Sequence, residues 1–236
     1  MHLIRIDLLT NNYPTAEHYP FCLEVFKQTK SIDFTTPVTF FVGENGSGKS
    51  TLLEAITYAC RIYIWRGIQR TRCTNNPYEL ALYRYIKTEW AEGSVPGSYF
   101  ASEIFHNFAR ILDEWAASDP GVLKYFGGES LLNQSHGESF MSFFKSRFKV
   151  KGIYILDEPE TALSPETQLK FLTILKETTD SGNAQFLIAT HSPILLACPG
   201  ATIYNFNSVP LKKIDYVDTN HYKLYKSFMN NPDKYL

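Results

Sequence analysis

The chain has 236 residues, 44% of them hydrophobic and 20% charged, with a formal net charge of −1. That length allows one large domain or two small ones around a substantial core, and so small a net charge gives no bulk case for a nucleic-acid partner, leaving only a local patch to consider. Cys22, Cys60, Cys73 and Cys198 are scattered without C-x-x-C spacing, which argues against a zinc site or disulfide framework, and no apolar run approaches the ~18 residues of a membrane-spanning helix.

The N-terminal "MHLIRIDLL" alternates and is β-rich, so it predicts a strand. With Asp7 early and no long apolar segment it is not expected to be a signal peptide, and the expected location is cytoplasmic. "FCLEVFKQTKSIDF" predicts one or two strands, and "VTFFVG" (38–43) a buried central strand. "KSTLLEAITYACRIYIW" (49–65) predicts a helix, although its second half is β-branched and aromatic. From about 66 to 150 aromatic and charged residues recur at helical spacing with no clear buried strand, which predicts a helical lobe. "GIYILDEP" (152–159) predicts a second buried strand, and "SPETQLKFLTILKETT" an amphipathic helix opened by Ser164 and Pro165. "AQFLIATHSP" and "ATIYNFN" predict two more strands. Strands alternating with helices predict an α/β fold with a mainly parallel sheet flanked by helices. Its core is expected from 1–65 and 151–236, with the lobe inserted at 66–150.

"GENGSGKS", residues 43–50, fits the phosphate-loop pattern G-x-x-x-x-G-K-[ST], with the required strand before it and helix after it. Gly43, Gly46 and Gly48 let the backbone wrap, so that N–H groups along Glu44, Asn45, Ser47 and into Thr51 point at phosphate oxygens. Lys49 supplies positive charge to the β- and γ-phosphates, Ser50 can place its hydroxyl on Mg²⁺, and the following helix aims its positive end at the anion. In "IYILDEPE" (153–160) four apolar residues run into Asp157 and Glu158, placing both at the carboxyl edge of a buried strand, where ligands bind in open α/β sheets. Asp157 would hold Mg²⁺ or its water, and Glu158 would act as general base on the attacking water. "LIATHSP" delivers His191 to the same edge, where a neutral imidazole can contact the γ-phosphate or the attacking water.

The order phosphate loop, "ILDEP", a serine-containing loop and "ATHSP" resembles the ABC-type ATPase superfamily, and within it the stand-alone bacterial ATPases related to RecF and SMC proteins, often called AAA family ATPases. The resemblance runs nearly end to end. It implies an ATP- and Mg²⁺-dependent hydrolase with two nucleotide sites shared across a head-to-tail homodimer. Each site takes the phosphate loop of one subunit and the signature helix of the other.

Two copies of Gly-Glu-Ser compete for that signature. "SHGE" forms a capping box, with Ser135 at the N-cap and Glu138 at the third helical position, and it lies at the family's spacing before Asp157. Ser135, Gly137 and Glu138 are therefore the expected signature residues, and "FGGES", which contains Ser130, reads as a turn. The family's usual pattern has Gly where His136 stands; this His either donates to phosphate or slows dimer closure. Ser164 falls where the family places a loop facing its counterpart across the dimer. The family's glutamine-bearing loop maps to "GSYFASEIFHNF" (97–108), which has no Gln, leaving Ser102 or Glu103 as substitutes. Tyr13 is one candidate among many for adenine stacking.

The run "RIYIWRGIQRTR" offers Arg61, Arg66, Arg70 and Arg72 with interleaved aromatics. It can grip nucleic acid, although a solvated face or a protein-docking surface is the more ordinary reading. The segment between the phosphate loop and the signature is too short for SMC-type coiled-coil arms. The leading expectation is an ATP-driven dimer that drives or gates a separate protein partner. The alternatives are the ATPase subunit of a membrane transporter, and a slow-hydrolysing ATP switch in a DNA-repair or phage-defence complex.

Overall fold

The apolar run at 38–42 becomes β3 (Val38–Val42), buried at every residue, because it lies between two helical layers. The computed structural model describes residues 1–66, 76–134 and 136–236, with the backbone alone for Glu103 and His136. The expectations for Arg70, Arg72, Cys73 and Ser135 lie outside the described residues. Before β3 come β1 (Leu3–Leu8), a short helix α1 (Glu24–Gln28) and β2 (Ser31–Asp33). After it come α2 (Lys49–Ala59), β4 (Ile86–Trp90), β5 (Gly97–Ala101), α3 (Ser102–Ser118) and α4 (His136–Arg147). The chain continues through β6 (Gly152–Asp157), α5 (Pro165–Asp180), β7 (Ala184–Ala189), α6 (Pro193–Leu196), β8 (Thr202–Asn205), β9 (Lys212–Lys213) and α7 (Asn220–Asn230).

The main sheet has the order β5-β6-β7-β3-β8-β9. All its pairs are parallel except β8 with β9. A second, antiparallel sheet has the order β2-β1-β4. Alternation along the central strands divides two cores. Phe40, Tyr154, Leu156, Phe186 and Ile188 face the aromatic packing of α3, α4 and α5. Phe41, Ile153, Ile155, Leu187 and Ala189 face α2 and the antiparallel sheet. Gln185, fully buried in β7, ties the two sheets together. Its Oε1 accepts from the backbone N–H groups of His2 (2.9 Å) and Leu3 (2.8 Å), and its Nε2 donates to Leu3 O at 2.8 Å. Such a polar group is tolerated in the core because its amide is matched on both ends.

Three elements depart from the sequence reading. The 21–34 segment contains a helix before its strand. The helix from Lys49 stops at Ala59, and Arg61 turns the chain with a left-handed φ of 59°. The stretch from 66 to 150, read as free of buried strands, holds β4 and β5. The β5 strand joins the main sheet beside β6, in register from Gly97↔Ile153 to Ala101↔Asp157. Gly97 permits this close pairing, since a Cβ there would stand 2.7 Å from the carbonyl oxygen of Ile153. Among the described residues no helix is long and apolar enough to cross a membrane.

Candidate functional site at the carboxyl edge of the parallel sheet

The phosphate-loop residues leave β3 at Gly43 and enter α2 at Lys49. Gly48 adopts φ 104°, and a Cβ on it would meet Leu23 and Phe26 at 3.0 Å, so the turn into α2 requires glycine. Glu44 N–H donates to Asn207 Oδ1 at 3.1 Å, which anchors the loop to the segment after β8. Lys49 is buried, and its Nζ donates to the carbonyls of Gly43 (2.8 Å) and Glu44 (2.9 Å). Burial lowers its pKa, against the pull of Glu158, Asp157 and Glu160. Ser47 Oγ is buried without a hydrogen-bond partner. The first-turn N–H groups of α2 have no intrahelical acceptors. A lysine folded onto its own loop, an unmatched hydroxyl and a free helix start together suit an incoming phosphate.

Asp157 ends β6. Its Oδ1 accepts from Ser50 Oγ at 3.1 Å, across 107 residues of sequence, and its Oδ2 accepts from Tyr99 Oη at 3.2 Å. Burial raises its pKa to about 6, the Glu158 charge adds to this, and the Ser50 and Tyr99 hydrogen bonds oppose it. A carboxylate so disfavoured beside a serine hydroxyl gives two hard oxygen donors that fit Mg²⁺. Burial, then Asp157 itself, pushes the Tyr99 hydroxyl up, keeping it a protonated donor.

Glu158 sits in the left-handed region, φ 48° and ψ 54°, unusual for a residue with a side chain. The turn that follows, Pro159–Ala162, holds it there: Thr161 Oγ1 donates to Glu158 O at 2.8 Å, and Glu158 N–H donates to Ala189 O at 2.9 Å. Its Oε1 stands 3.4 Å from His191 Nε2. His191 follows β7, and its N–H donates to Glu160 Oε1 at 2.6 Å. Burial and then Lys49 lower the His191 pKa, outweighing the pull of Glu158. Next in line, Ser192 caps α6 by accepting from Ile194 and Leu195 N–H, and donates to Gln168 Oε1 at 2.5 Å.

A cavity of about 790 Å³ opens beside these groups, lined by Tyr19, Ser50, Glu54, Arg66, Tyr99 and Asp157 among others. Thr51 lies on its wall, bonded to the Tyr19 hydroxyl. Ser102 lines it too, because β5 ends level with Asp157 and α3 begins there. The 97–108 segment thus reaches the sheet edge and contains no glutamine.

The start of α4 lies near the turn that follows Glu158. Gly137, in the first turn of α4, would place a Cβ 3.6 Å from Ala162 O, so the helix start rests on the turn after Glu158. Glu138 is exposed in that first turn. Ser130 belongs to a turn: Gly127 and Gly128 both have positive φ, and Ser130 accepts from Leu132 N–H and donates to Asp113 Oδ2 at 2.6 Å. Ser164 caps α5, accepting from Thr167 N–H at 3.2 Å.

Packing bears on two sequence expectations. Tyr13 packs against Phe21 and Tyr85, and its hydroxyl donates to Phe26 O, so its ring and hydroxyl are engaged by core neighbours. Arg66 is no free cation for nucleic acid, because it pairs with Glu54 at 2.5 Å in the cavity wall. Asn45 and Arg61 are exposed.

The sequence reading gave no role to Tyr99, Glu160, Glu54 or His221. Glu160 was in view as the last letter of "DEPE". Tyr99 was hidden in a strand that went unread.

A mainly parallel sheet with helices on both faces, and a glycine loop running from a central strand into a helix, define the fold of P-loop ATPase heads of the ABC type. A chain of an inward-facing ABC transporter of the metal-chelate type has this fold, with a TM-score of 0.52 and 16% identity over 94% of this chain and 88% of that one. Residues 23–72 match the family described as "AAA domain", and residues 131–197 the family described as "AAA domain, putative AbiEii toxin, Type IV TA system". These matches and the fold are consistent with an ABC/RecF-like ATPase. The tungstate uptake system ATP-binding protein TupC of Campylobacter jejuni is 23% identical over 228 residues, covering 85% of this chain and 67% of TupC. An SMC head domain from Thermotoga maritima aligns over 91% of this chain and 99% of its own at 16% identity, with a TM-score of 0.47 that is too low to bear on the fold.

Proposed function

We propose that this chain binds Mg²⁺–ATP on the 43–50 loop and hydrolyses it to ADP and phosphate within a head-to-tail homodimer, using the cycle to drive or gate a separate protein. The observation that carries this reading is the 3.1 Å contact of Ser50 with Asp157, which brings the phosphate loop to the end of β6. The loop and the first turn of α2 bind the phosphates through backbone N–H groups, and Lys49 leaves its loop carbonyls for phosphate oxygens. Ser50 and Asp157 would hold Mg²⁺, which would supply charge neutralisation for the phosphates. Glu158 accepts the proton of the attacking water, its carboxylate aimed by the strained backbone. His191 contributes a hydrogen bond at the terminal phosphate.

The start of α4, with Gly137 and Glu138, faces the nucleotide of the second subunit, and Ser135, which lies outside the described residues, is its signature serine by sequence. That helix start lies against the Pro159–Ala162 turn, so closing the dimer and ordering Glu158 involve the same contact. The likeness to TupC supports a second reading, in which the partner is a membrane permease. The match at residues 131–197 to a family whose description names a type IV TA system toxin leaves room for a third, a slow-hydrolysing ATP switch in a DNA-repair or phage-defence complex. Co-purification of the native protein with a membrane subunit selects the second.

Sharing of sites is tested by mixing. Lys49→Ala and Ser135→Arg should each be inactive alone. In a mixed dimer one site carries both defects and the other carries neither, so phosphate release and ATP-dependent dimerisation should return in part. A mixture that restores neither would contradict shared sites that work one at a time, and would leave only a dimer in which hydrolysis needs both sites filled.

A further inference from the structure

The His191 ring is held by a second ring from the far end of the chain. His221 lies in the first turn of α7, and its Nε2 is 3.0 Å from His191 Nδ1. The ring centroids are 5.2 Å apart at an interplanar angle of 61°. Thr219 fixes this turn: its Oγ1 accepts from Tyr222 N–H at 3.2 Å and donates to Tyr216 O at 2.7 Å. The two outer nitrogens, His191 Nε2 and His221 Nδ1, are buried and make no hydrogen bond among the described residues. His191 Nε2 lies on the side of Glu158, 3.4 Å from Oε1.

Burial lowers the pKa of both rings, His191 and Lys49 lower that of His221 further and Lys49 that of His191, which favours the neutral form of each, and two nitrogens 3.0 Å apart cannot both carry a proton. Two neutral imidazoles at this distance share one hydrogen, and one must donate while the other accepts. If His191 donated, its bare Nε2 lone pair would face the Glu158 carboxylate, and His221 Nδ1–H would be a buried donor without an acceptor. If His221 donates from Nε2, its Nδ1 carries only a lone pair, and His191 keeps its hydrogen on Nε2, on the side of Glu158. The second arrangement avoids both the electrostatic conflict and the unmatched buried N–H.

We infer that His221 is a positioning residue that fixes His191 as its Nε2-protonated tautomer, so that the ring presents a donor toward Glu158 and the terminal phosphate. The catalytic consequence rests on the ATPase reading; the tautomer itself belongs to the nucleotide-free protein. The last helix thereby becomes part of the working edge of the sheet.

Imidazole ¹⁵N NMR of the nucleotide-free protein reads the tautomer directly. His191 should appear protonated at Nε2 in the native protein and in His221→Gln, whose side-chain amide keeps a donor at similar reach. In His221→Leu it should become a mixture of tautomers. Turnover should then fall roughly tenfold to a hundredfold in His221→Leu, with KM for ATP unchanged, and largely recover in His221→Gln. A native tautomer in folded His221→Leu, or its loss in folded His221→Gln, overturns the inference. A native protein that shows the tautomer but hydrolyses no ATP counts against the ATPase reading and leaves the positioning role standing.

Discussion

Glu158→Gln should bind ATP as well as the native chain and lose turnover by roughly a hundredfold to ten-thousandfold, the range for removing a positioned general base. Glutamine has nearly the same shape. The backbone contacts that hold position 158, Glu158 N–H to Ala189 O and Thr161 Oγ1 to Glu158 O, involve no carboxylate oxygen. Binding is therefore preserved while the proton acceptor is lost, and only the transition state uses that acceptor. With hydrolysis blocked, the ATP-bound dimer should accumulate. Sedimentation with ATP and Mg²⁺ should show it, and a species that stays monomeric under those conditions counts against the dimer mechanism.

Lys49→Ala should abolish tight ATP binding without unfolding the protein. The ammonium is buried and bonded only to the two loop carbonyls among the described residues. In the nucleotide-free state its burial opposes its charge, so removing it relieves one cost as it loses two hydrogen bonds. With ATP bound, the same position faces phosphate charge. Losing one partner of a buried, hydrogen-bonded charge pair costs about 2–5 kcal/mol, or thirtyfold and upward in affinity. Calorimetry on the folded variant measures this, and unchanged affinity would remove Lys49 from the site.

The parts of the fold that could be read in advance are those whose burial leaves a continuous apolar run: β3, β6 and β7, each buried at nearly every residue. They also end in the residues proposed to carry the chemistry, so the loop, Asp157, Glu158 and His191 came into view together. What escaped has particular causes. The β5 strand begins Gly-Ser because its backbone crowds Ile153, and small residues give no strand signal. The β4 strand carries Lys87 and Glu89 because it lies at the edge of the small antiparallel sheet, half in solvent. The helix from Lys49 was read too long because neither glycine nor proline marks its end; Arg61 makes the turn instead. Pairings such as His191 with His221 and Arg66 with Glu54 depend on which faces meet, which neither periodicity nor motif spacing records.

The central claim is that this edge of the sheet hydrolyses ATP when two copies meet. Steady-state phosphate release from the purified chain, followed with Mg²⁺ and ATP as protein concentration rises, tests it most directly. The account predicts release that climbs more steeply than linearly until the dimer saturates, and that vanishes when EDTA removes the Mg²⁺ proposed for Ser50 and Asp157. Release no greater than the Glu158→Gln background at every concentration would contradict it.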